Sequence, residues 1–218
     1  MSIKIAPSLL AADFLKLGPD IKRMELAGAD ILHLDIMDGN FVPNISFGPP
    51  VIKDISKHSN LFLEAHLMIQ QPEKFIKVFA DCKVSRIIIH IECHTNIPKT
   101  LREIKALGIQ TGISIKPQTP WDMVMPFLSD LDLILFMTVE PGFGGQAFIS
   151  EVLPKISQGR KTISKLKQNI DLEVDGGINY ETAQKVVAAG ANILVAGTAI
   201  FKHAQPEQLI SDMKKLAR

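Results

Sequence analysis

The chain has 218 residues, 46% of them hydrophobic and 22% charged. Such a chain can bury a core without disulfide or metal staples and is too apolar to be disordered. Lys and Arg number 24 against 23 Asp and Glu, a net charge of +1, which excludes the strong positive field of a nucleic-acid or anionic-membrane binder.

In chain order, residues 1–6 show no basic segment leading into a long apolar stretch, so no secretory signal is read there. Short apolar runs follow at 3–8, 31–35, 61–66, 86–90, 111–115, 133–137, 170–174 and 193–196. All fall far short of a membrane span. They are rich in Ile, Leu and Val, as expected of strands covered on both faces in a parallel sheet. Helical patterns lie between them. Residues 72–79 place Phe75, Ile76, Val78 and Phe79 on one face. Residues 182–189 stop at Gly190, with Asn179 and Thr182 as capping side chains. Residues 206–216 open with Pro206 and Glu207 and close with Lys214 and Lys215, which suits the helix dipole. Gly28, Gly108 and Gly190 each sit between a helix and the next strand, like three uses of one turn.

Eight strands, each followed by a helix, give units of about 27 residues that fill the chain. The expected fold is α/β, a single (β/α)8 TIM barrel of eight parallel strands spanning 1–218 as one catalytic domain. An open doubly wound sheet is the structural alternative. Cys82 and Cys93 are too few for a disulfide scaffold or a thiolate zinc site and read as reduced thiols of a cytoplasmic protein.

The unusual residues gather at strand ends. His33 and Asp35 stand at i and i+2 on one strand and share a face. His66 ends the third run and Asp175 the seventh. In a barrel these ends converge on one mouth, where two imidazoles and two carboxylates would form a mixed N/O site for a divalent cation, and Zn²⁺, Fe²⁺, Mn²⁺ and Co²⁺ all suit it. Taken singly, a strand histidine is more often a satisfied core residue. His90, lacking a carboxylate on its face, is read that way, and His58, His94 and His203 are read as solvated.

Glycines form a second group: Gly142, Gly144 and Gly145 after the sixth strand, Gly176 and Gly177 after the seventh, Gly197 after the eighth. Each pair alone reads as a tight turn. Three such loops on consecutive strands point to a phosphate held by backbone N–H groups. Gly142-x-Gly144-x-x-Ala147 also fits a loose dinucleotide pattern, in the wrong βα turn. Met37, Met68 and Met137 lie at or past strand ends, either as core filler or as an apolar floor that keeps water from a reactive anion.

The chain resembles the ribulose-phosphate 3-epimerase family nearly end to end. The resemblance rests on Ala6-Pro7-Ser8-Leu9-Leu10-Ala11-Ala12-Asp13-Phe14, on His33-Leu34-Asp35-Ile36-Met37-Asp38-Gly39-Asn40-Phe41-Val42-Pro43-Asn44, and on Glu64-Ala65-His66-Leu67-Met68. It continues through Pro141-Gly142-Phe143-Gly144-Gly145-Gln146, Glu173-Val174-Asp175-Gly176-Gly177-Ile178 and Ala196-Gly197-Thr198-Ala199-Ile200-Phe201. It implies His33, Asp35, His66 and Asp175 as metal ligands, and Asp35 and Asp175 as the acid/base pair. It implies Ser8, His66, Gly142, Phe143, Gly144, Gly145, Asp175, Gly176, Gly177, Gly197 and Thr198 as substrate-binding residues.

The implied reaction interconverts D-ribulose 5-phosphate and D-xylulose 5-phosphate in the pentose phosphate pathway. It is catalysed by a metal-dependent cytoplasmic homo-oligomer whose partner is a sugar phosphate. A 3-epimerase for a related ketose phosphate such as allulose 6-phosphate is the nearest alternative, and a non-catalytic sugar-phosphate-binding barrel is more remote.

Overall fold

Eight parallel strands form one sheet: β1 (Lys4–Pro7), β2 (Ile31–Met37), β3 (Phe62–Met68), β4 (Arg86–His90), β5 (Gln110–Ile115), β6 (Leu133–Met137), β7 (Asp171–Asp175) and β8 (Ile193–Ala196). The order β1-β8-β7-β6-β5-β4-β3-β2 leaves β1 and β2 at its ends. A parallel bridge between Ser8 and His33 joins those two ends. The sheet therefore closes into a barrel, and the open doubly wound alternative does not hold. The structure is a computed structural model that describes residues 2–217; Met1 and Arg218, within the expected 1–218 domain, lie outside the described residues.

The helices are α1 (Leu17–Leu26), α2 (Pro49–His58), α3 (Ile76–Asp81), α4 (Ile97–Ala106), α5 (Leu153–Leu166), α6 (Tyr180–Ala189), α7 (Thr198–Phe201) and α8 (Pro206–Lys214). The expected helix after every strand fails once. Two 3-10 turns, Trp121–Met123 and Met125–Asp130, follow β5 instead. Pro117, Pro120 and Pro126 explain the difference, since each lacks the N–H that a helix ladder needs. The helix expected over 72–79 also divides, into a 3-10 turn at Pro72–Lys74 and α3, with Phe75 between them at φ −116°. The strand expected over 170–174 runs one residue later, Asp171–Asp175.

Three helix ends share one turn, as the glycine spacing suggests. Gly28, Gly108 and Gly190 have φ of 86°, 74° and 114°. At each, the next residue's N–H donates five residues back: Ala29 to Met24, Ile109 to Ile104 and Ala191 to Val186. This is the six-to-one bond of a glycine-terminated helix. At the other end of α6, Asn179 and Thr182 exchange a reciprocal capping box.

Strand side chains alternate between two cores. Leu32, Leu34, Ile36, Leu63, Ala65, Leu67, Ile87 and Ile89 face the helices in the larger core, each large one contributing about 1.5–3 kcal/mol by leaving water. Ala6, Ile31, Ile88, Leu133, Leu135, Ile193 and Val195 fill the barrel interior. The interior-facing positions of β2, β3, β4, β5 and β7 carry the polar exceptions: His33 and Asp35, Glu64 and His66, Arg86 and His90, Ser114, Glu173 and Asp175. The register sets Asp35 beside His66 and His33 beside Glu64. Cys82 and Cys93 are buried and unpaired with each other. No described helix is long and apolar enough to cross a membrane.

Candidate active site

β2, β3 and β7 bring the four expected ligands to one point at the C-terminal end of the barrel. Asp35 Oδ1 lies 3.0 Å from His66 Nδ1 and 3.2 Å from His33 Nε2. The two imidazole nitrogens are 3.3 Å apart. Asp175 Oδ2 lies 3.9 Å from each of them. Four ligands at ~2.0–2.1 Å from a tetrahedral zinc would stand roughly 3.3–3.4 Å from one another. The observed spacings bracket that value, and the donor set of two imidazoles and two carboxylates fits a divalent cation. The apolar walls around it and the second nitrogen of His33, 2.9 Å from Glu64 Oε1, complete the kind of surroundings that metal histidines have.

The electrostatics separate the two aspartates. Burial works against the Asp35 charge, but the charge and hydrogen bonding of His33 overcome it and hold that carboxyl far below the usual range. Ser8 Oγ also donates to Asp35 Oδ2 at 2.6 Å. Burial and the nearby Asp35 charge push Asp175 up to about 7. Burial pulls His66 down to about 4. His33 is raised well above its ordinary value, because Asp35, Glu173 and Glu64 favour its charge more than burial opposes it.

A second acidic layer lies beneath. Glu64 is buried, yet hydrogen bonding from His33 and the charges of His33 and Arg86 hold it near 2. Arg86 Nη1 donates to its Oε2 at 2.7 Å. Burial and the Glu64 charge push Glu173 well up. His33, Glu64 and Glu173 thus form another compact donor group.

Above the four ligands opens a cavity of about 850 Å³. Ser8, Asp35 and Asp175 line it, as do Gly142, Phe143, Gly144, Gly145, Gly176, Gly177, Gly197 and Thr198. His33 and His66 sit below its floor, fully buried. Met37, Met68 and Met137 also line it, each no more than 4% exposed. Gly176 and Gly177 have φ of +120° and +65°, and a Cβ on Gly177 would lie 2.7 Å from the Phe148 backbone nitrogen. The loops after β6 and β7 therefore pack backbone to backbone. Residues 141–148 form an irregular loop, and α5 starts only at Leu153. The loose dinucleotide pattern is thus not a strand–turn–helix.

Several residues join the site that the sequence reading left out. His90, read as an isolated core histidine, lies 2.8 Å from His66, Nε2 to Nε2. Glu92 lies beyond it, 3.1 Å from His90 Nδ1. Lys202 is the one cation among the residues lining the cavity. His58, His94 and His203 are exposed, as expected.

The model described as "Ribulose-phosphate 3 epimerase family" matches residues 4–201. The chain is 44% identical to the ribulose-phosphate 3-epimerase of Bacillus subtilis (strain 168), covering 97% of this chain and 98% of that one. It is 42% identical to the cytoplasmic isoform of ribulose-phosphate 3-epimerase from Oryza sativa subsp. japonica, covering 97% and 93%. Among solved structures, 3-hexulose-6-phosphate synthase from Salmonella typhimurium shares the fold, with a TM-score of 0.69 at 17% identity over 99% of this chain and 98% of that chain. The chain belongs to the ribulose-phosphate 3-epimerase family, and it is an epimerase of the isomerase class.

Proposed function

We propose that the enzyme interconverts D-ribulose 5-phosphate and D-xylulose 5-phosphate by moving the proton on C3, with Asp35 and Asp175 as its two acid/base groups. The observation that carries this reading is the pair itself: two carboxylates from β2 and β7, at the same two imidazoles, with opposite proton affinities. Epimerisation removes a proton beside a carbonyl and returns one to the other face. A single base cannot easily serve both faces, whereas one ionised and one protonated carboxyl can. The Ser8 hydroxyl helps keep Asp35 the stronger acid of the two. Asp35 then starts as the base and Asp175 as the acid in one direction, with the roles exchanged in the other.

His33, Asp35, His66 and Asp175 are the residues that would hold one divalent cation per subunit, zinc foremost, with Fe²⁺, Mn²⁺ or Co²⁺ also suited. When bound, the cation supplies Lewis-acid stabilisation of the charge that develops on the substrate oxygens as C3 loses its proton. The glycine loops after β6, β7 and β8 hold the phosphate through backbone N–H groups, and their binding energy orients C3 between the carboxylates. Phe143 and Gly142 to Gly145 cover the substrate. Met37, Met68 and Met137 keep water from the enediolate, which water would protonate on either face. The chain works as one catalytic domain, in the cytoplasm and as a homo-oligomer. Two unpaired buried thiols support the compartment, and the exposed Phe14 and Leu15 support self-association.

The test is turnover in deuterated water on D-ribulose 5-phosphate, with allulose 6-phosphate alongside. Deuterium at C3 of the xylulose product, with D-ribulose 5-phosphate the faster substrate, is expected. Binding without exchange, or a faster reaction on the six-carbon sugar, rejects the assignment.

A further inference from the structure

We infer that His90 and Glu92 are positioning residues: through a fixed chain of hydrogen bonds they set the tautomer of His66, so that its Nδ1 presents a lone pair to the metal. The inference rests on the metal reading above. His66 has two nitrogens with different neighbours. Nδ1 points to the donor cluster, 3.0 Å from Asp35 Oδ1. Nε2 points away from it, 2.8 Å from His90 Nε2. The two ring centroids are 4.9 Å apart while the nitrogens are 2.8 Å apart, so the rings meet edge to edge. His90 Nδ1 in turn lies 3.1 Å from Glu92 Oε2. Both histidines are fully buried, so no water from bulk competes for these positions.

The direction of every proton in this chain follows from its far end. Glu92 Oε1 accepts from the Lys116 backbone N–H at 2.8 Å and from the Thr119 hydroxyl. A backbone N–H only donates, so Glu92 is tied down as an acceptor. These bonds and the His90 ring outweigh burial and keep Glu92 ionised, so Oε2, 3.1 Å from His90 Nδ1, is also an acceptor and takes its hydrogen bond from a proton on that nitrogen. A neutral His90 protonated there has a bare Nε2, which accepts from His66 Nε2. A neutral His66 protonated at Nε2 has a bare Nδ1, the form a metal requires.

The anchor is held firmly. Lys155 on α5 donates to the carbonyls of Lys116, Pro117 and Thr119 at 2.8–2.9 Å, pinning the loop that grips Glu92. Phe41 packs on the His90 ring at 4.6 Å, with Lys116 Nζ 4.3 Å from the Phe41 centroid. His33 reaches its own carboxylate, Glu64, directly. The outer nitrogen of His66, Nε2, reaches a carboxylate only through His90, which gives a buried second histidine a function that core packing does not need.

Two measurements test this, and neither needs turnover. In zinc-loaded protein with ¹⁵N-labelled histidine, long-range ¹H–¹⁵N spectra should show His66 protonated at Nε2 and His90 at Nδ1. Zinc affinity by chelator competition should weaken about 10- to 100-fold in Glu92→Gln, with His90 losing its single tautomer. A merely structural Glu92 would lower the stability of the metal-free protein and leave the zinc affinity unchanged.

The spectrum of the unmodified protein decides alone if Glu92→Gln does not fold. Bound zinc with His90 protonated at Nε2 overturns this inference and leaves the metal reading standing. So does an affinity within about twofold of the unmodified protein in Glu92→Gln. Failure of the unmodified protein to bind zinc overturns both.

Discussion

Asp35 on β2 and Asp175 at the end of β7 come from strands three apart around the closed barrel, yet both reach His33 Nε2 and His66 Nδ1, at 3.0–3.2 Å and 3.9 Å. Asp35 is surrounded by donors, including the Ser8 hydroxyl. The Asp175 side chain accepts no hydrogen bond from a described residue, and burial beside the Asp35 charge raises it. Asp175→Asn keeps the size of the side chain and removes its exchangeable carboxyl proton. Turnover should fall about 10²- to 10⁴-fold, the range expected for a lost acid/base group, with a much smaller change in KM. Steady-state kinetics on D-ribulose 5-phosphate, beside circular dichroism to show the barrel intact, measure this. Turnover close to that of the unmodified enzyme would reject the two-carboxylate scheme.

The same raised proton affinity predicts a stability slope in chelator-treated protein. The folded-state value for Asp175 is about 7 against an ordinary 3.8. Between those values the folded chain holds more protons at this site than the unfolded chain. Its contribution to stability therefore falls as pH rises from about 4 to 7 and stays lost above. Asp175→Asn removes the titration. Without metal, this variant should be more stable than the unmodified protein at pH 8, and the two should converge toward pH 4. Urea denaturation midpoints across that range check it, and parallel curves for the two proteins would contradict it.

Metal addition should reverse the balance. The ligand atoms must be free of protons to coordinate, and both Asp175 and His33 hold theirs more tightly than ordinary groups. Zinc binding at pH 6 should release on the order of one proton or more, and affinity should rise from pH 5 to pH 8. Calorimetry in two buffers of different ionisation enthalpy counts the protons. Chelator should abolish turnover, and zinc should restore it. Full activity after verified metal removal would end the Lewis-acid role.

The strand ends of this barrel were the legible part of the sequence. His33 and Asp35 share a face because they stand two positions apart on a strand, with Leu34 alone between them, and that spacing is visible in the letters. The glycines at 28, 108 and 190 announced their turns equally well, since a left-handed residue after a helix almost requires glycine. His90 and Glu92 have the same spacing of two, but the strand ends at His90 and Glu92 stands in the following turn. Its position opposite the ring is set by Lys116 and Thr119, 24 and 27 residues away. No periodicity encodes such a contact. The missing helix after β5 was written in three prolines, a signal that the regular strand–helix alternation obscured.

The loop pair over the proposed phosphate position depends on Gly177 more than on its neighbours. Gly177 combines φ of +65° with a Cβ position 2.7 Å from the Phe148 backbone nitrogen and 2.9 Å from its Cα. Alanine there meets backbone, which cannot swing aside as a flexible side-chain tip does. Holding it in the left-handed region costs about 1–3 kcal/mol more. The cheaper outcome is for the loop after β6 to move off, which displaces residues 142–145 from the cavity rim. Gly177→Ala should therefore raise KM for the sugar phosphate about tenfold or more, with a smaller effect on kcat, as expected when ground-state binding is lost. Gly18→Ala, on α1 with open space around its Cβ, is the matched control and should leave both constants alone. If the two variants behave alike, the glycine loops do not hold the phosphate.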